Sequence, residues 1–121
     1  MTGLVRKSFD AADETRPFGD NKGRLDLLQT SGGAVGRAVF EPGWRWSEHV
    51  KPIAGTDSCQ SAHTGYVVSG RIHVVMDDGE EGEYAAGDFM EVAPGHDAWV
   101  VGDDPVVALD WTGFGNYAKP A

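Results

Sequence analysis

Residues 63–76 read HTGYVVSGRIHVVM, and the next four, 77–80, read DDGE. β-Branched and aromatic residues dominate both halves, Gly70 divides them, and Asp77-Asp78-Gly79 supplies the φ-permissive residues of a hairpin turn. Within the second half, Ile72, Val74 and Met76 fall on one face of a pleated strand, which sends His73 to the other. In the first half, His63, Gly65, Val67 and Ser69 share a face and Tyr66 points away from it. Two short strands and a tight turn are the unit from which the chain is built.

The same pattern continues in both directions. Upstream lie GRLDLLQT (23–30), GGAVGRAVFEPG (32–43) and WRWSEHV (44–50), then an irregular stretch from Lys51 to about Ser61. Downstream follow EGEYAAGD, FMEVAPG, HDAWVVGDD and PVVALDWTG, ending in a loose tail. Counting Leu4–Phe9, about nine or ten strands are expected, and glycine, at 17 of 121 residues, is about twice as frequent as the usual ~7%. No segment has a sustained 3.6-residue apolar period, so no helix is long enough for a parallel crossover. The expectation is an all-β, antiparallel jelly-roll or small barrel. Residues 1–22 form an N-terminal arm and 23–121 a single barrel domain.

Ten Lys and Arg against nineteen Asp and Glu give a net charge of −9. Such a surface repels phosphate backbones and anionic headgroups, so neither nucleic acid nor a membrane surface is an expected partner. MTGLVRKSFD has no apolar core of signal-peptide length, and Cys59, the single cysteine, can form no disulfide within the chain; both fit a cytoplasmic protein. No P-loop, HExxH, paired CxxC or serine elbow occurs, which leaves phosphoryl transfer, zinc proteolysis and serine hydrolysis without support.

The four histidines, His49, His63, His73 and His96, stand mostly at strand ends beside glycine turns. Imidazoles from neighbouring strands can occupy one side of a metal and leave positions open for substrate. In WRWSEHV, a strand with His49 inward also turns Arg45 inward, where it could hold a ligand carboxylate or instead make a rim salt bridge. The same phase turns Trp44 and Trp46 outward, suggesting a homodimer contact. Asp97, next to His96, is expected to face away from the cavity.

Over roughly residues 36 to 111 the chain resembles the cupins, small β-barrels with two motifs that bring metal ligands into the barrel mouth. Gly43 and five residues lead to His49, as in the first motif, and HTGYVVSGRIHV matches the strand and turn that end it, with Gly70 closing. Counting back from Gly70, His63 fills the family's glutamate position, and the second histidine becomes Lys51 or Cys59, depending on the direction of counting. Thirteen residues separate His49 from His63, about twice the usual number, so a loop is inserted. GDFMEVAPGHDAWVVGDDP, from Gly87, resembles the second motif with its turn shortened, which places the family's histidine at His96 when counted from Pro105.

The resemblance implies a double-stranded β-helix and one divalent transition metal (Zn, Fe, Ni, Mn or Cu) on His49, His63 and His96, with Cys59 a possible fourth ligand. It also implies a metalloenzyme of oxygenase or isomerase type acting on a small molecule. The alternative is a non-catalytic cupin that binds or senses a small ligand.

Overall fold

The computed structural model describes residues 3–112. The tail expected at the C-terminus falls almost wholly outside them. Among the described residues nine strands run in the order β1 (Glu14–Pro17), β2 (Gly23–Thr30), β3 (Gly33–Phe40), β4 (His63–Ser69), β5 (Arg71–Met76), β6 (Glu81–Ala85), β7 (Phe89–Val92), β8 (His96–Val100) and β9 (Val106–Asp110). Two four-residue helices, α1 (Trp46–His49) and α2 (Lys51–Ala54), fall between β3 and β4. Every pairing is antiparallel.

Six strands form one sheet in the order β1-β2-β3-β9-β4-β7, and three form a second in the order β6-β5-β8. The apolar faces of the two sheets meet in one core that includes Leu25, Leu27, Phe40, Val67, Ile72, Val74 and Val106. Burial along β4 and β5 follows the alternation read from the sequence. His63, Gly65 and Val67 are buried while Tyr66 is exposed, and Ile72 and Val74 are buried on the face opposite His73. His73 instead stacks on Trp99, with ring centroids 4.8 Å apart, and its Nε2 pairs with Glu81 at 2.8 Å.

Two segments depart from the sequence reading. Leu4 and Val5 are exposed and form no strand, whereas Glu14–Pro17 of the arm pairs with β2. Residues 44–50 are not a strand throughout. An isolated bridge joins Arg45 to Trp99, and the chain then turns into α1, where Asp97 Oδ1 accepts the Ser47 N–H at 3.0 Å. Trp44 and Trp46 are therefore 1% exposed and lie in the core, with Phe18, Phe40 and Trp44 forming an aromatic cluster. The alternation has the expected period but the opposite phase, so the outward tryptophan face expected to form a homodimer contact does not exist. Large apolar side chains are exposed elsewhere, at Tyr66, Val68, Phe89 and Trp111.

Among the described residues no helix is long and apolar enough to cross a membrane.

Candidate metal centre

His63 opens β4, His96 opens β8, and Cys59 sits four residues ahead of His63 in the loop that follows α2. The loop is held in place by backbone bonds. Cys59 N–H donates to His96 C=O at 2.7 Å, Gly95 N–H donates to Cys59 C=O at 2.7 Å, and Ser58 Oγ–H donates to Asp77 at 2.8 Å. Gly95 is required at this crossing. Its φ is +92°, and a Cβ there would lie 2.9 Å from the Asp77 carboxylate.

The result is a buried group in which one ligand atom each from Cys59, His63 and His96 lies within 4.8 Å of the others. Cys59 Sγ is 3.8 Å from His63 Nε2. Both imidazoles are oriented through their other nitrogen. His63 Nδ1 lies 2.6 Å from Asp110 Oδ2, and His96 Nδ1 lies 2.9 Å from Ala93 C=O. A carbonyl can only accept, so His96 keeps a proton on Nδ1, and the carboxylate favours the same in His63, which leaves each Nε2 as the nitrogen that a metal would take.

These donors fit a metal ion. Bond lengths of about 2.3 Å to sulfur and about 2.0–2.1 Å to nitrogen place tetrahedral ligand atoms about 3.5 Å apart. The group needs to contract by about 1.3 Å at most. Histidine ligands anchored on a carboxylate and a carbonyl are the arrangement that fixes ring orientation at metal sites.

Without metal the charges reorganise. Burial pushes the Cys59 thiol up, but hydrogen bonds and charge from His63 and His96 outweigh it and hold the thiol at about 6. Burial pushes His63 down, yet Asp110 and Cys59 outweigh that and raise it to about 9. The metal-free pair is thus a thiolate beside an imidazolium.

His49 is not part of this group. Because residues 46–49 are helical, strand parity does not carry it to the barrel mouth. Its Nδ1 instead accepts the Arg45 N–H at 2.9 Å, and its Nε2 lies 3.8 Å from Asp20. Arg45 also lies away from the site, with its guanidinium 4.3 Å from the Trp99 ring centroid and its Nε 3.4 Å from Asp97. The rim-pair alternative describes it.

Asp110 was overlooked in the sequence, although the signal was present. In PVVALD, Val106 and Ala108 alternate on the core face, and the same phase puts a carboxylate there, 2% exposed.

His63 borders two spaces. Inside the barrel is a cavity of about 50 Å3, lined also by His96, Asp110, Trp44, Trp46 and apolar side chains. Outside is an open groove of about 580 Å3, walled in part by Glu80, Glu81, Tyr84 and Glu91.

No known family profile matches the chain, and no curated protein matches it by sequence. Solved structures do. A sugar phosphate isomerase from a cupin superfamily, from Silicibacter pomeroyi, superposes with a TM-score of 0.60 at 21% identity, covering 88% of this chain and 73% of the other. An uncharacterized conserved protein with a double-stranded β-helix domain from Klebsiella pneumoniae gives 0.59 at 21%, covering 94% and 93%. Oxalate decarboxylase from Bacillus subtilis, described with Mn(II) centres, gives 0.50 at 20%, covering 81% of this chain but 27% of the larger enzyme. With its two antiparallel sheets closing on one core, this chain has the cupin fold, a double-stranded β-helix.

Proposed function

We propose that the protein is a metal-dependent cupin enzyme acting on a small molecule, with its metal on Cys59, His63 and His96. The observation that carries this reading is the convergence of their three ligand atoms while Asp110 and Ala93 occupy the other ring nitrogens. A thiolate in the set favours zinc or copper over manganese. The ion, when bound, supplies a Lewis acid or redox centre with positions open to substrate. The chain itself orients the two imidazoles, keeps water from the inner side of the centre with its apolar walls, and offers approach through the groove beside His63.

The isomerase and decarboxylase among its structural neighbours support an enzyme over a sensing cupin. A reducing cytoplasm, which keeps the Cys59 thiol free, is the compartment that suits this centre.

The test is elemental analysis of tag-free protein purified without chelator. About one transition metal per chain is expected, lost or strongly reduced in Cys59→Ser, His63→Ala and His96→Ala and retained in His49→Ala. Folded wild-type protein that takes up no supplied transition metal overturns the reading. Turnover of a small-molecule library by the loaded protein then separates enzyme from sensor.

A further inference from the structure

The inner faces of β4, β7 and β9 belong to the core, and strands with one solvated face turn polar residues outward. These strands depart from that rule. β9 runs Val106-Val107-Ala108-Leu109, with Trp111 two residues on, and β4 carries Tyr66-Val67-Val68, so apolar side chains point both ways. Continuous apolar runs belong to strands buried on both faces. Yet on the outer side Tyr66 is 41% exposed, Val68 48%, Phe89 58% and Trp111 47%.

These side chains form one patch. Phe89, Tyr66 and Leu109 are neighbours in a single row across β7, β4 and β9. The Trp111 ring lies 6.5 Å from that of Phe89, and Val107, paired with Val39, carries the patch toward β3. The other half of the same sheet face is covered. There Asp26 of β2 is 3% exposed, and the N-terminal arm sets the Phe9 ring 5.3 Å from the Arg37 guanidinium of β3.

Charge and area select the occupant. Among the outward-facing residues of β4, β7 and β9 only Glu91 is charged, on a chain of net charge −9. A basic partner would be drawn to the acidic remainder of the surface, and an anionic membrane would be repelled by it. A second copy can dock only where like charges are not opposed, and this face meets that condition. With a two-fold axis parallel to the strands between β9 and β4, β7 of one copy lies over β3 of the other. Each Glu91 then faces the Arg37 side of the second copy, and the two carboxylates stay apart. The four exposed side chains, with the partly exposed Val39, Val107 and Leu109, offer about 500 Å2 of apolar surface per copy. With a polar rim, that reaches the low end, about 600 Å2 per partner, of specific interfaces.

We propose that the outer face of β4, β7 and β9 is the interface of a reversible homodimer, in which two copies pack sheet on sheet. The interface lies on the side of β4 and β9 opposite His63 and Asp110, so it stands independently of the metal reading.

The test is sedimentation equilibrium of the tag-free full chain from low micromolar to submillimolar concentration. The mass should rise from 12.9 kDa toward twice that value, with a midpoint in the micromolar range. Added salt should strengthen the association, because it screens the repulsion between two chains of charge −9. Tyr66→Lys and Phe89→Lys should each weaken it about tenfold or more. Val5→Lys, at a 67% exposed apolar residue outside the face, should leave it unchanged. Because a lysine within a strand can unfold the chain, the wild-type protein is also diluted while its amide and indole N–H resonances are followed. Shifts should gather on β4, β7, β9 and Trp111 and spare β5, β6 and β8. A monomer at every concentration overturns the proposal, whether the face is then found bare or covered by residues 113–121. So does a dimer that dissociates in salt, that survives both lysine substitutions, or whose shifts fall on the three-stranded sheet.

Discussion

Asp110 touches the candidate centre only through His63. It holds Nδ1 at 2.6 Å and is itself fixed by the N–H groups of Thr112 at 2.8 Å and Thr64 at 3.3 Å. Asp110→Asn leaves a group of the same size that no longer fixes the imidazole tautomer or its charge. Metal affinity should fall by about 10- to 100-fold while the chain stays folded, as read by competition with a chromophoric chelator. A second expectation concerns the metal-free state. With Cys59 held at about 6, ultraviolet thiolate absorbance should be present at neutral pH and disappear as the pH falls through that value. In His63→Ala the absorbance should require more alkaline solution, because a positive neighbour that lowers the thiol is gone.

At the scale of the elements, β4 lies directly against the backbone of β9 at Gly65. A Cβ there would lie 1.9 Å from the Leu109 carbonyl oxygen, on the backbone of the adjacent strand. Gly65→Ala must push β4 away from β9 and with it His63 from Asp110, so a loss above about 3 kcal/mol in urea unfolding is expected. Gly79→Ala, in the open β5–β6 turn at φ +94°, meets no neighbour and should cost only about 1 kcal/mol.

This contrast also explains what could be read from sequence. Strands β3, β4, β5, β7, β8 and β9 were legible because each alternates against a buried face, whereas β2, with Leu25 to Leu28 buried in a row, and β6, with no residue fully buried, were legible from the turn residues that bound them. The Trp44–His49 stretch was not. Its alternation covers only three residues before the backbone turns helical, and the decisive contact, Asp97 to the Ser47 N–H, comes from fifty residues away. Cys59 was legible only as a possible fourth ligand beside His63 and His96, since its place among them depends on the bridge between the inserted loop and β8. A motif spacing shows which residues recur, but a folded insertion changes which of them meet.

For the molecule as a whole, acid stability should depend on Asp26 in the six-stranded sheet. Asp26 is 3% exposed, 2.9 Å from Arg37 and 3.1 Å from Arg24, and accepts from Thr15 Oγ1 at 3.0 Å. Burial raises its carboxyl, but the bonds from Arg37 and Thr15 and the charge of Arg24 outweigh it, leaving the folded value below the ordinary one. Its contribution is therefore complete above the unfolded value of about 3.9 and is lost as the pH falls below that and through the lowered folded value. The urea midpoint should drop in this acid range. In Asp26→Asn the unfolding free energy should be lower already at neutral pH, by about 3 kcal/mol, and the midpoint should fall less on acidification.

The strand order has a consequence for how the protein is made. β9, the last strand among the described residues, lies in the middle of its sheet between β3 and β4 rather than at an edge. While residues 106–110 remain inside the ribosome, the β1-β2-β3 ladder and the β4–β7 pair have no strand to join them, and His63 lacks the carboxylate that orients it. Such long-range closure is slow and leaves strand edges exposed until it occurs. Synthesis must therefore deliver nearly the whole described chain before the barrel can close, so the nascent protein acquires its centre only after residues 106–110 have emerged rather than as each ligand does.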